Sequence, residues 1–401
     1  MNTSAETQCA PWREAARACL ERGDLQQAGQ LFQHVLDEIP SDLESLQVVG
    51  AAQLAAGHFT AAAQTLRQAV QQAPSLFVER LRLGMALERV GQPHDALTAY
   101  FGALRTAQNQ GRWLSDETTA SGLREAVKHA MRYVDTGRLA WFRRVLEPLQ
   151  QRYGVEEMRR VEHCLDAYLG ERSVKTPDPR QRPKFLYFPD VPSQPSYARE
   201  RFPWHDALEA ATDWIREELR AVLAQEQSLE AFLGAPPPGR SQQAMLQSSG
   251  AQPAAWDAYF FYRHGERYDT NADACPRTAA LLDSLPLTRI RDHAPETLFS
   301  VLSPGTHILP HTGVTNVRLV THLPLIVPPG CALRVGGETH VWREGRCVTF
   351  DDTFEHEAWN RSNETRVVLI LDSWNPDLTE AECAAVTELI EAIGDFNAAS
   401  A

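Results

Sequence analysis

One interval recurs through the first hundred residues. Gly23, Gly57 and Gly91 are 34 residues apart, as are Ala28, Ala62 and Ala96, and Phe32, Leu66 and Tyr100; Pro40 and Pro74 keep the same spacing. Four classes of position on one period constrain the fold more than any composition does. Each unit has to bury its apolar face against the next copy. The pattern predicts paired helices, with Gly and Ala where the helices pack closely, the large residue filling the gap, and the proline ending the second helix.

Thirty-four residues is the period of the tetratricopeptide (TPR) repeat. Three repeats are predicted over 1–112. Further helical patterns, "LAWFRRVLEPLQQRY" and "VEEMRRVEHCLDAYL", form a helical extension over 113–172. Such an array predicts a groove that holds a peptide or protein. The proline-dense stretch 173–204 reads as a linker or extended arm, and "GAPPPGRSQQ" (234–243) as a loop. An amphipathic helix is expected at about 205–225. The pattern then changes to short β-like runs ("YFFYRH", "TLFSVL", "VRLVTHLPLIV", "RCVTF", "TRVVLILDSW"), the signature of a sandwich or barrel. A last helix, about 379–393, opens on a capping box of Thr379 and Glu382. The fold class is therefore a multidomain α and β chain: an N-terminal helical solenoid followed by a β domain over 205–401.

The net charge of -13 over 401 residues argues against nucleic-acid binding, which needs a basic surface. No apolar run approaches the roughly 18–20 residues of a membrane span, and the N-terminus turns polar at once, so a cytoplasmic chain is expected. Seven cysteines, odd in number and scattered, fit reduced thiols rather than a disulfide framework or a zinc site.

Two segments carry chemistry. In "HTGVTNVRLVTHL" (311–323), strand alternation sends Asn316, Arg318, Val320 and His322 to one face and Val317, Leu319, Thr321 and Leu323 to the other. In "FDDTFEHEAWNRSNETRVVLILDSW", His356 ends an acidic turn and Arg366 follows ten residues later, on a β-branched strand; His311 lies 45 residues upstream of His356. The spacing suggests two imidazoles on a ferrous ion and an arginine in a bidentate pair with a carboxylate of 2-oxoglutarate. A facial triad usually carries its carboxylate two residues after the first histidine. That position is Gly313, which cannot ligate.

From about Trp256 to Asp377 the chain resembles the aspartyl/asparaginyl β-hydroxylase family of Fe(II)- and 2-oxoglutarate-dependent dioxygenases. The resemblance rests on "SPGTHILPHTGVTNVRLVTHLPLIVP", "VWREGRCVTFDDTFEHEAWN" and "RVVLILDSWNPDL". It implies a jelly-roll (double-stranded β-helix) core, with His311 and His356 as iron ligands and Gly313 as the family's vacant carboxylate position, filled by water. Arg366, Ser300, His322 and Trp256 are implied to contact 2-oxoglutarate, and Arg318 to face a substrate carboxylate. Asp351 and Asp352 are expected to orient His356 or satisfy backbone amides. Val320 and Asn375 depart from an arginine and a histidine of the family's animal members, and a cysteine pair expected near 272–279 is not reproduced. The implied reaction consumes 2-oxoglutarate and O2, releases succinate and CO2, and hydroxylates Cβ of an Asp- or Asn-like residue in a peptide or protein. The alternatives are a non-catalytic interaction protein, or a hydroxylase of a free or carrier-bound amino acid or a lipid A acyl chain.

Overall fold

The computed structural model describes residues 3–225, 229–233, 245–249 and 253–401; the loop expected at 234–243 lies outside the described residues. The chain divides into two units, 1–143 with 393–401, and 144–392.

The first unit opens with three helix pairs: Thr3–Glu21 with Leu25–Glu38, Leu43–Ala55 with Phe59–Gln72, and Phe77–Arg89 with Pro93–Asn109. The periodic glycines do not make helix contacts. Gly23, Gly57 and Gly91 have φ of +79, +80 and +75° and sit in the turn inside each pair. A Cβ on Gly23 or Gly91 would meet nothing within 4 Å. Their period records a left-handed turn residue that only glycine adopts freely. The close contact uses a different set on the same interval, Ala16, Gly50 and Gly84. A Cβ would lie 2.7 Å from Leu66 on Gly50 and 2.6 Å from Tyr100 on Gly84. Phe32, Leu66 and Tyr100 are fully buried. Pro40 and Pro74 follow two residues after the second helices end at Glu38 and Gln72, where a missing N–H costs nothing.

Residues 393–401 pack within this unit. The Phe396 ring lies 5.2 Å from Phe101 and 5.5 Å from Trp141. Arg80 Nη1 donates to the Ser400 carbonyl at 2.5 Å, an oxygen only 2.3 Å from where Gly102 would carry a Cβ. Part of the surface of the third repeat is therefore covered by the chain's own last helix, which runs Glu380–Ala399, past the expected end at 393. Its start is as expected: the Thr379 N–H donates to Glu382 Oε2 at 2.8 Å and the Glu382 N–H to Thr379 Oγ1 at 3.3 Å.

The second unit holds two antiparallel sheets. The larger runs in the order Ser196–Tyr197, Val348–Phe350, Arg318–Ile326, Arg366–Trp374, Thr297–Leu302, Trp256–Arg263, Glu230–Ala231. The smaller runs Glu338–His340, Cys331–Val335, His356–Asn360, Thr306–His311, Leu246–Ser248. Neither closes into a barrel among the described residues. The central strands of the larger sheet are buried on both faces. Leu323, Leu325, Val367, Leu369, Leu371, Phe299 and Val301 pack with Leu208, Ile215, Leu219 and Leu282 of the helices. On the opposite face, Leu302, Val320 and Val368 meet Ile308, Leu333, Val335 and Ala358 of the smaller sheet. Period-2 alternation thus sends Arg318, Val320 and His322 inward between the sheets.

The unit is wider than the 205–401 expected from sequence, beginning at 144 and ending at 392. The stretch 173–204 is not a free linker. The Arg182 N–H donates to the Thr353 carbonyl at 2.7 Å, that of Lys184 to Gly313 at 3.1 Å and that of Phe185 to Val314 at 2.9 Å. Asn316 brackets Phe188, accepting from its N–H at 2.7 Å and donating to its carbonyl at 2.8 Å. Prolines keep residues 177–195 of this arm out of a regular ladder, and Ser196–Tyr197 then joins the edge of the larger sheet. The single helix expected at 205–225 is two, His205–Ala210 and Thr212–Leu223.

Candidate active site

A cavity of about 220 Å³ lies between the sheets, and its lining includes His311, Gly313, Arg318, His322, Asp352, His356, Arg366, Trp256 and Ser300. At one end His311, Gly313 and His356 are half-buried; at the other Ser300, His322 and Arg366 are buried. The cavity therefore opens at the histidine pair and is blind at the arginine.

His311 ends one strand of the smaller sheet and His356 begins its neighbour. They are cross-strand partners, with ring centroids 4.1 Å apart. Each ring is fixed by the same local bond: Nδ1 meets the carbonyl two residues earlier, Leu309 at 2.8 Å and Phe354 at 3.0 Å. A carbonyl accepts only, so Nδ1 carries the proton and Nε2 keeps its lone pair. Burial keeps both rings neutral and, with the neighbouring His356, pushes His311 down to about 4. Two neutral imidazoles with fixed tautomers and available Nε2 atoms are a fit pair of metal ligands.

Gly313 is half of a steric exchange. A Cβ there would lie 2.2 Å from the carboxyl carbon of Asp352. Asp352 Oδ2 pairs with Arg318 at 3.2 Å, and the buried Oδ1 has no hydrogen-bond partner among the described residues. The two aspartates expected in one supporting role are split by the fold. Asp352 lines the cavity; Asp351 faces away from it. The carboxylate of Asp351 accepts from the Thr353 N–H at 2.9 Å, the Thr353 hydroxyl at 2.5 Å and Gln181 Nε2 at 2.8 Å.

At the blind end Arg366 is 1% exposed. Its hydrogen-bond partners among the described residues are the Ser300 carbonyl and hydroxyl, each at 3.3 Å; its Nε has none. Burial pushes the guanidinium down to about 10. Trp256 Nε1 donates to Ser300 Oγ at 2.9 Å. The His322 Nδ1 is buried without a partner among the described residues, and burial first, then the Arg366 charge, hold that ring neutral.

Arg318 is in the cavity wall but is not a free cation. Its Nη1 lies 3.2 Å from Asp352 and 3.1 Å from Asp372. Val320 lines the same wall. Asn375 does not: it donates to the Asn316 carbonyl at 3.0 Å and accepts from the Asp377 N–H at 3.0 Å.

Sequence reasoning missed Asp372, Trp342 and Phe232. Asp372 was findable, since it shares the parity of Arg366, Val368 and Ile370. Trp342, whose ring lies 5.0 Å from the Arg366 guanidinium, comes from an irregular loop. Phe232, stacked on Trp256 at 3.9 Å, comes from a short edge segment. Neither has a periodic signal. A separate group, His205, Glu209 and Cys347, brings possible ligand atoms within 4.8 Å of one another. Glu209 is already paired with Arg199 and with Arg346 at 2.7 Å and accepts the Cys347 N–H at 2.9 Å; two guanidiniums there oppose a cation.

A histidine pair at the open end and a buried arginine at the blind end thus share one cavity between the antiparallel sheets. Residues 209–376 match the family model described as Aspartyl/Asparaginyl beta-hydroxylase, so the resemblance read from the motifs holds for this segment. Mouse aspartate beta-hydroxylase domain-containing protein 2 is 35% identical over 210 residues, 51% of this chain and 58% of the relative. Human aspartyl/asparaginyl beta-hydroxylase is 39% identical over 125 residues, 31% of this chain and 16% of the relative. The ornithine lipid ester-linked acyl 2-hydroxylase of Rhizobium tropici is 34% identical over 195 residues, 48% and 64%. The chain thus spans less than two thirds of the length of these relatives. Among the described residues no helix is long and apolar enough to cross a membrane, and the seven cysteines are unpaired thiols.

Proposed function

We propose that this protein is an Fe(II)- and 2-oxoglutarate-dependent dioxygenase that hydroxylates Cβ of an Asp- or Asn-like residue in a peptide or protein. The observation that carries it is Arg366. A buried guanidinium with only weak neutral partners is costly, and an anion is what offsets that cost. A small dicarboxylate reaching from the histidine pair to the blind end supplies one. Its far carboxylate then takes the bidentate contact with Arg366, beside Ser300 and the Trp256 indole, and His322 donates from a neutral ring. His311 and His356 would hold the iron through Nε2, and the Asp352 carboxylate, in the space left by Gly313, supports a water at the vacant position. Iron with 2-oxoglutarate and O2 supplies oxidative decarboxylation to succinate and CO2, coupled to C–H hydroxylation. The apolar walls from Phe232, Leu298, Val320 and Ile370 keep bulk water from the reacting carbon. The two facing sheets are taken as a jelly-roll core, supported by their antiparallel order and by the family match.

Helical repeats are built for protein contact, which favours a peptide or protein substrate, delivered through array surface that residues 393–401 leave open. A second reading, an acyl chain, draws on the same apolar walls and on the lipid-hydroxylating name of the Rhizobium tropici relative. Anaerobic titration with Fe(II) and 2-oxoglutarate, then succinate detection in air, tests the chemistry. Mass spectrometry of peptides and of lipid extracts for a gain of one oxygen assigns the substrate. Failure to bind 2-oxoglutarate in the presence of iron refutes the proposal.

A further inference from the structure

The proline-dense arm brings an unusual charge to the mouth of the cavity. Between Arg172 and Lys184 there are five Lys or Arg residues and one Asp, in a chain of net charge -13. That Asp178 is committed to Arg180 at 2.6 Å. Arg182 and Lys184 differ: both are exposed, and neither has an ion-pair partner among the described residues.

Their placement follows from backbone bonds. The N–H of Arg182 is held by Thr353 in the loop before His356, and that of Lys184 by Gly313 in the loop after His311. The arm is thus laced to both histidine-bearing loops, at the open end of the cavity. Both side chains are exposed, while Gln181, Leu186 and Phe188 of the same arm are buried.

Inside the cavity the situation is reversed. Arg318 is already neutralised by Asp352 and Asp372, and Glu296 lies in the same wall. With Arg366 taken by the cosubstrate, a further anionic group gains little by entering past the histidines and more by staying at the rim. One acid, Glu355, is exposed beside His356, which leaves the pair of free cations in excess.

We infer that Arg182 and Lys184 form a cationic rim that binds an acidic stretch of the peptide substrate, flanking the residue presented to the cavity. This rests on the hydroxylase reading for its meaning, but the test is of binding alone. Two fluorescein-labelled peptides, identical except for Glu or Gln on either side of a central Asn, are titrated by anisotropy against the full chain in low and raised salt. The Glu peptide is expected to bind about 10-fold more tightly at low salt, an advantage that falls as salt screens exposed charges. The R182E/K184E double variant is expected to erase that preference, and R182Q/K184Q to reduce it partway. Equal affinity of the wild type for both peptides, or a preference that survives R182E/K184E, overturns the inference. Succinate release by the wild type is measured separately, so failure of the chemistry and failure of the rim give different results.

Discussion

The carboxylate of Asp352 occupies the space that a side chain at position 313 would need: a Cβ on Gly313 lies 2.2 Å from its carboxyl carbon. Residues 39 positions apart are therefore one steric unit. Gly313→Ala is expected to destabilise the fold by about 1–3 kcal/mol through overpacking. Asp352→Ala in the same chain should recover part of that loss. Chemical denaturation of the two single variants and the double gives the coupling; strict additivity would show that the two positions do not compete for space.

The histidine pair supplies the most direct test of the metal site. His311→Ala and His356→Ala should each abolish iron-dependent succinate release and weaken binding of Mn(II), a non-redox substitute, in calorimetry. Release at the wild-type level from either variant removes that residue from the ligand set.

Arg366 should show opposite effects on stability and on cosubstrate use. Arg366→Met removes a buried cation that has no carboxylate partner among the described residues, so in the absence of 2-oxoglutarate the variant should be more stable by about 1–4 kcal/mol. The same change should raise the KM for 2-oxoglutarate by about 100-fold, the scale of a lost charge-assisted bidentate contact. In melting experiments 2-oxoglutarate should raise the Tm of the wild type and not that of the variant. A variant less stable than wild type, with an unchanged KM, would falsify the anion-receptor assignment.

His205 offers a pH test away from the cavity. It is 1% exposed, stacked on Phe202 with centroids 5.0 Å apart, and its Nδ1 has no partner among the described residues. Burial pushes its pKa down to about 4. Between the ordinary histidine value near 6.5 and about 4, the unfolded chain binds a proton that the folded chain does not, so stability falls as pH falls through this window. His205→Phe should reduce the loss between pH 7.5 and 5 by about 1–2 kcal/mol. An identical pH slope in the variant would show that the group does not titrate in this way.

Much of the site was legible because chemistry and strand parity are local. Alternation placed Arg318, Val320 and His322 on one face, and the same rule extended along the Arg366 strand reaches Asp372. The capping box at Thr379 and Glu382 is a four-residue pattern, and it forms as read. The repeat period was legible too, but its meaning was not. Gly23, Gly57 and Gly91 recur because a turn needs a positive φ, and only the backbone angle separates that from the tight contacts of Gly50 and Gly84. Trp342, Phe232 and the arm at 181–188 come from irregular segments, where no periodicity marks what a side chain will face.

The sequence by itself determined the repeat interval, the parity of the strands and the kinds of group the cavity contains. Tertiary structure alone decided that Asp352 stands where Gly313 leaves room, that Arg318 is already neutralised, and that the arm borders the cavity mouth. Local sequence sets which way a side chain points from its own strand. What it meets there is set by the register and packing of segments far away in the chain.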